Sequence, residues 1–584
     1  MKNCPIERNT ISSKGFYNYS KYKNWIKYYY RLKLNIIVFL FFSCFLNIYV
    51  QTQYSNITLR VNKTGNIKIL GIKSVSEDKL PPMPESIYIN GEKQTGEVNT
   101  NYILNETDNY ITLIWNSVLD STKNLFYECS DIIEIDLSNL ITSSVTDMRY
   151  MFYKCSNLMS LDLSNFNTSS IKHMDNIFNK CSSLNNIILP YSNIAGLTSM
   201  SSMFRECSSL ISLDLSSFIT SSVKNMVELF YGCKKLISIN LSNFDTKNVK
   251  SMEDMFNECS SLTYLDLSNF ITENLERIDN MFYNCKSLKS LDLTNFITNK
   301  VYSMDFTFEK CSSLISLDLS KFVTSNVQEM GGMFSGCSSL ISLNLSNFNT
   351  TRAYRMDSMF NDCKLLIYLD ISNFDTTKVN TMRMMFCGCS SLISLDLSHF
   401  ITSNVEEMEY MFEDCSSLIS LDLSNFNVSS VTTMKQMFYN CSKLESLNLS
   451  NFKTQSNIAI YSIFDYCKSL TFLDLSGFNI QQIDTSISIF KEVSKNIIIC
   501  FKDSKWKDIL NRYSIPIIDC YNIETSIIFE TESEFVVNIG KDNTITEYNI
   551  NKLLKLFDKS YIKNGNDIEM YIGETRYSIS SFEN

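Results

Sequence analysis

For a chain of 584 residues this one is poor in the residues that punctuate and catalyse: it has 2 His, 6 Pro, 15 Gly and 3 Trp. The two histidines, His173 and His399, stand far apart in the chain, which leaves no plausible histidine-based catalytic triad. No Gly-rich phosphate loop, Gly-x-Ser-x-Gly elbow or His-Glu-x-x-His zinc motif occurs, so the chain reads as a non-enzyme without cofactor or metal. Scarce Gly and Pro leave little room for flexible linkers. Hydrophobic residues make up 44% and charged residues 20%, the balance of a folded protein and not of a disordered one.

Charge is uneven. Residues 1–33 hold eight Lys/Arg against Glu7 alone, about +7, which leaves about −17 in the remainder of a formal total of −10. An acidic body of that kind disfavours nucleic acid as a partner. Residues 34–50 form an apolar run of 17 residues, interrupted by Asn35, Ser43 and Asn47, which sits at the lower limit for crossing a bilayer. Positive charge ahead of it puts the first segment in the cytoplasm and the rest outside. A cleaved signal peptide is the competing interpretation, although its basic region would be long and no small-x-small site is clear near Val50. Either way the rest is exported, to the cell surface as a single-pass membrane protein or as a secreted one. Asn56, Asn62 and Asn105 open Asn-x-Ser/Thr triplets soon after the run, as glycosylation acceptors in an exported chain would.

The cysteines expose the architecture. Cys129, Cys155, Cys181, Cys207, Cys233, Cys259, Cys285, Cys311, Cys337, Cys363, Cys389, Cys415, Cys441 and Cys467 are each 26 residues apart, without insertion or deletion. One unit reads CSSLISLDLSHFITSNVEEMEYMFED, from Cys389 to Asp414. Leu392, Leu395 and Leu397 follow L-x-x-L-x-L, the last two alternating with polar residues like a strand buried on one side. Met408, Met411 and Phe412 share the spacing of one face of a short helical turn. Phe occupies the site three residues before every ladder cysteine, from Phe126 to Phe464. One such unit cannot bury its apolar face alone, so the units must stack with their strands joined in a sheet. The expected fold is an α/β leucine-rich-repeat solenoid with a parallel concave sheet and short convex helical turns.

The organisation that follows is a basic segment 1–33, the apolar run 34–50, a β-rich cap at 54–116, and a solenoid of 14 repeats at 119–493. A closing segment at 494–520 contains Trp506, and a small α+β module of unreadable role occupies 521–584, with a helix expected near 551–559. In the third unit the strand reads LNNIILPYS, with Ile188 replacing the acid, which predicts a local irregularity there.

In their wording and phase, MFxxC followed by LxxLDLSNF and then T and VxxM, the units resemble those of BspA-like leucine-rich-repeat surface proteins. The resemblance covers about 119–493. It implies a curved solenoid, cell-surface or secreted placement, and adhesion to protein or glycan ligands, host matrix among them, with no catalytic motif. The segments outside the repeat inherit nothing from it.

Candidate ligand-binding residues lie on the strands. Asp266, Asp292, Asp318, Asp370, Asp396 and Asp422 belong to a column in which Asn240, Asn344 and Asn448 substitute every four units. Acids ~5 Å apart along a sheet repel by about 0.8 kcal/mol per pair even in water, so flanking serines such as Ser394 and Ser398 should donate to them. The column reads either as a solvated, serine-bridged face or as a stripe for cations or basic ligands. Tyr264, Tyr368 and Phe472 replace the usual serine of the same strands, also every four units. Duplication of a four-unit block accounts for their recurrence; projection from an exposed face would make them binding anchors. The ladder cysteines read as buried thiols, Cys500 and Cys520 as disulfide partners, and Cys387 as a free, exposed thiol. A self-associating surface coat and an intracellular scaffold are the alternative functions.

Overall fold

The computed structural model describes residues 54–72, 80–190, 196–480 and 487–515 in full, and the backbone of strands Ser526–Thr531, Glu534–Ile539, Asn543–Asn549, Ile568–Ile572 and Thr575–Ile579. The basic segment, the apolar run 34–50 and the helix expected near 551–559 lie outside the described residues. No described helix is long and apolar enough to cross a membrane.

The repeats form a solenoid of stacked 26-residue coils. The short strands pair in parallel with their equivalents in a neighbouring coil, so that Ser342 pairs with Tyr368, Leu343 with Leu369 and Asn344 with Asp370. Inside, equivalent side chains form rows along the axis. The phenylalanines three residues before the cysteines stack ring on ring from Phe126 onward, for example Phe282 on Phe308 at 5.6 Å and 8° and Phe308 on Phe334 at 5.8 Å and 4°. Parallel offset rings of this kind add about 0.5–1.5 kcal/mol per pair beyond the area they bury. Leucine, methionine and a second phenylalanine row, such as Phe400 on Phe426, complete the core.

The turn side differs from expectation. Among the described residues the repeats contain no helix; the single α-helix, α1, is Lys505–Arg512, beyond them. Two residues per coil, five and one before the cysteine, have φ near +57°, as in Tyr150 and Lys154 or Tyr410 and Asp414. That left-handed geometry cannot continue a right-handed helix. Instead the N–H groups alternate. Those of Met148, Tyr150, Phe152 and Lys154 donate to His173, Asp175, Ile177 and Asn179 of the next coil, while those of Met151, Tyr153 and Cys155 close turns on Met148, Tyr150 and Phe152. Sideways pairing of this kind satisfies the backbone as a sheet does while keeping Met and Phe inward. The strand side is also less continuous than expected: its strands are only two to three residues long from Ser160 onward and pair in groups of two or three, whereas parallel bridges on the turn side run from Ser199 through Asn225, Ser251, Arg277 and Ser303 as far as Ala459.

Both ends are closed by pairing and burial. At the amino end the strands are β1 (Ser55–Val61), β2 (Gly65–Lys68), β3 (Ser86–Ile89), β4 (Glu92–Lys93), β5 (Asn101–Leu104), β6 (Asn109–Trp115) and β7 (Ile132–Asp136). The sheet β4-β3-β6-β1-β7 is antiparallel, and β7 is the strand of the first coil, so β1 covers the open edge of the solenoid. Arg60 on β1 fixes that junction through Glu134 on β7, at 3.1 Å, and Asp108, at 2.9 Å. The turn-side edge is met by Gly71, whose N–H donates to Leu125; a Cβ there would lie 2.0 Å from the Tyr127 nitrogen, so only glycine fits. At the carboxyl end the pattern runs one coil further than the cysteine ladder. Phe490 stacks on Phe464 at 5.7 Å, and Ile498–Cys500 pairs with Phe472–Asp474. Trp506 of α1, fully buried against Phe478 and Phe490, then covers the open core.

The third coil keeps the stack. Asn186–Ile188 pairs with Ser160–Asp162, and Phe178 stacks on Phe152 and Phe204. Its Ile188 is exposed where other coils carry the acid.

Candidate interaction face

Hydrogen-bonded ladders hold the strand face in place, and most of them were not evident beforehand. The threonine two residues after the strand phenylalanine is buried in nearly every described coil. Its hydroxyl donates to one carbonyl of the next coil and accepts that residue's N–H: Thr350 Oγ1 donates to the Asp375 carbonyl at 2.9 Å and accepts the Asp375 N–H at 2.7 Å. One hydroxyl thus satisfies both backbone groups of a single residue in a buried corner. Asparagines form two further ladders across the coils, Asn269 and Asn295 donating to the Ser242 and Ser268 carbonyls, Asn274 and Asn326 to those of Lys247 and Asn299. His399 takes an asparagine's place, its Nε2 lying 2.8 Å from the Ile371 carbonyl.

The ladder cysteines are buried free thiols, and their sulfurs donate to carbonyls of the phenylalanine row, as Cys311 Sγ does to Phe282 at 3.1 Å. Burial pushes their pKa values up, for Cys233, Cys285, Cys389 and Cys467 to about 12. Cys387 corrects the expectation of an exposed thiol: it is free but buried, 3.6 Å from the Glu413 carboxylate, and burial followed by that charge raises its pKa strongly. Cys500 is disulfide-bonded; Cys520 lies outside the described residues.

The structure gives the acid column a local role. The carboxylates of Asp266, Asp292, Asp318, Asp370, Asp396 and Asp422 each accept the N–H two residues on, at 2.9–3.1 Å. That bond, with the neighbouring hydroxyl, holds Asp266, Asp292, Asp318 and Asp396 below the ordinary carboxylate range; for Asp370 the Ser372 hydroxyl leads. Asn240, Asn344 and Asn448 make the same bond through Oδ1 at 3.0–3.1 Å. The turn therefore needs an Asx oxygen, and the charge is additional. The bridging is chiefly by backbone N–H, with the serine after the acid and not the one before it.

Tyr264 and Tyr368 stand 67% and 66% exposed on this face. Phe472, the third of that set, is only half-exposed, because the additional strand Ile498–Cys500 packs beside it. A row that sequence reading passed over lies one residue earlier: Ile315, Ile341, Ile367, Ile393 and Ile419 are 44–50% exposed in five consecutive coils. Of the glycosylation candidates, Asn62 and Asn105 are exposed and Asn56 is half-buried within β1.

Two other clusters stand out. Asp279, Asp305 and Glu329 on the turn side bring carboxylate oxygens within 4.8 Å of one another. All are engaged: Asp279 by Arg277 at 2.9 Å, Asp305 by the Gly331 N–H at 2.6 Å and by Arg355, Glu329 by the Tyr354 hydroxyl. Burial, opposed by Arg355, lifts Asp305 to about 6. The arrangement is a charge knot tying four coils. An open groove of about 440 Å³ near the amino end is lined by Glu128, Lys154, Lys180, Glu206 and three serines, and its Lys154 is paired with Glu128 at 2.7 Å.

The family model described as "Mycoplasma protein of unknown function, DUF285" matches residues 120–213, 198–317, 302–420 and 392–499. The chain belongs to this family. The family's description supplies no activity, so the residues must carry the functional argument. No curated protein matches the sequence. Among solved structures, similarity is found to the TLR13–ssRNA13 complex, at 15% identity over 59% of this chain and 66% of that one, with a TM-score of 0.17. It is found also to the Toll–Spatzle complex of Drosophila, at 15% identity over 69% and 57%, with a TM-score of 0.19. The chain thus spans 66% and 57% of those two chains. Similarity at that level adds no functional argument.

Proposed function

We propose that this DUF285 chain is a cell-surface or secreted recognition protein that binds protein or glycan partners through its strand face. One observation carries the reading: Tyr264 and Tyr368 project two-thirds exposed from coils fixed by threonine and asparagine ladders, Tyr368 from a paired strand as well. An aromatic ring on a rigid support presents a large contact area at small entropic cost. Acids along the same face oppose a polyanionic ligand such as RNA. The resemblance to BspA-like surface proteins points the same way and makes adhesion, to host matrix for example, the specific form of the function.

Export is supported by the basic and apolar segments at 1–33 and 34–50, by exposed sequons at Asn62 and Asn105, and by the disulfide at Cys500, since disulfides persist in oxidising compartments. If residues 34–50 stay uncleaved they tether the solenoid to the membrane. Staining of intact cells with antibody to the coils is the test: surface signal is expected, and a strictly cytosolic pool ends the proposal. Light scattering of the purified protein separates recognition from a self-associating coat, for which a stable monomer is the wrong result.

A further inference from the structure

Five consecutive coils, from the one that starts at Cys311 to the one that starts at Cys415, expose an isoleucine four residues after the cysteine. The row has ends: the equivalent residues before it are Thr263 and Lys289, and those after it Glu445 and Thr471. Coil neighbours are hydrogen-bonded there, Ile341 N–H to the Ile315 carbonyl and Ile419 N–H to that of Ile393, so the side chains lie one above the next in a ridge ~19 Å long at ~4.8 Å per coil. A contiguous apolar ridge rimmed by polar groups is a mark of docking. Three residues further along the same coils runs the acid row, Asp318, Asp370, Asp396 and Asp422, with Asn344 among them.

We propose that this face docks a basic amphipathic helix of a partner protein, its apolar stripe on the isoleucine ridge and its Lys/Arg flank on the acid row. The inference rests on the recognition reading above and names the partner's chemistry. Two considerations select a helix. Both rows reach the surface, and three residues of chain span at most ~10 Å, within the ~10–12 Å width of a helix with its side chains. The strand Ser342–Asn344, in the middle of the row, is paired on both sides, so an extended segment lying across it would find no free backbone groups there, whereas a helix satisfies its own. Charge selects the sign. Four of the five coils carry an acid in the row, Asp318, Asp370, Asp396 and Asp422, each accepting a backbone N–H, and a second copy of the same face would bring like charges together.

The test uses the full chain and a synthetic helical peptide of about 16 residues, ~24 Å long, with leucines on one face and lysines flanking them. Isothermal titration is run against four proteins: the wild type, I367D/I393D, the fourfold D318N/D370N/D396N/D422N, and a control, E273Q, outside both rows. Because Asn240, Asn344 and Asn448 already make the same turn, the fourfold variant keeps the fold, which circular dichroism checks. Binding is expected for the wild type and E273Q, and at least a tenfold loss for each of the other two. A peptide of the same composition with its pattern scrambled should bind at least tenfold more weakly than the patterned one. Equal affinity for all four proteins, equal affinity for both peptides, or no binding by the wild type overturns the helix proposal. So does light scattering that shows a wild-type dimer abolished by I367D/I393D, since a second copy would then occupy the ridge. Surface staining of intact cells is independent of all these outcomes, so failure here leaves the recognition reading to be judged separately.

Discussion

Inside the coils the chain repeats itself residue for residue: Phe stands three before the cysteine from Phe126 to Phe464, and the cysteine itself recurs from Cys129 to Cys467. On the strand face the same period carries far more variety. The residue five after the cysteine is Ser160, Asn186, Tyr264, Ser316, Tyr368 or Phe472, and the residue before that ranges from Ile315 to Lys289 to Glu445. The difference follows from what each row touches. An inward side chain meets its own copy in the coils above and below, so a change of size leaves a void or a clash twice over. An outward side chain meets solvent, and only the backbone ladder constrains it. Constancy marks the rows that make the solenoid, and variety marks the surface on which a partner can be distinguished.

The largest effect expected from this contrast is alkaline. A thiol buried in the folded state has its pKa raised, whereas the unfolded chain ionises near ~8.5. The folded state then holds more protons above that point, so stability is fully present below pH ~8.5 and falls as pH rises from there toward about 12. Each thiol contributes about 1.4 kcal/mol per pH unit. Unfolding free energy from denaturant titration, followed from pH 7 to 10 under reducing conditions, should be flat and then fall steeply, and its slope divided by that increment counts the thiols that unfold together. A flat profile to pH 10 would break the contrast at its root.

Next in size is Phe308→Ala, which removes a fully buried ring stacked on both sides and should cost about 3–5 kcal/mol in denaturant unfolding. Thr350→Val keeps the shape but leaves the Asp375 N–H and carbonyl without their partner, at about 1–3 kcal/mol for each buried group. At the small end, Tyr368→Ser and Asp396→Asn should stay within about 0.5 kcal/mol of the parent, as surface changes do. Equal effects from Phe308→Ala and Tyr368→Ser would erase the distinction between the two kinds of row.

Much of this could be read in advance because a fixed period superimposes equivalent residues: the strand leucines, the cysteine and phenylalanine rows, and the acid column all follow from spacing. The helical turn did not, since Met408, Met411 and Phe412 have the spacing of a helix face and also of a stacked turn. What excludes the helix is left-handed geometry at residues as different as Tyr150, Lys154, Ser202 and Glu206, and glycine marks those positions only at Gly232, Gly332, Gly336 and Gly388. The threonine and asparagine ladders were visible as recurring letters, but their bonds cross from one coil to the next, which a single repeat cannot reveal. Phe490 and Ile499 continue the pattern where Val493 replaces the cysteine, so a boundary drawn on the cysteine falls one coil short. The isoleucine ridge was hidden among the leucines of L-x-x-L-x-L, and only its exposure sets it apart.

The stacking of coils around their thiols is tested most directly by alkylating the native, reduced protein with iodoacetamide and locating the adducts by mass spectrometry. Protection of every ladder cysteine from Cys129 to Cys467 is expected until denaturant is added, after which all should react. Modification of several of them in the folded protein, at the rate of a free thiol, would contradict the account.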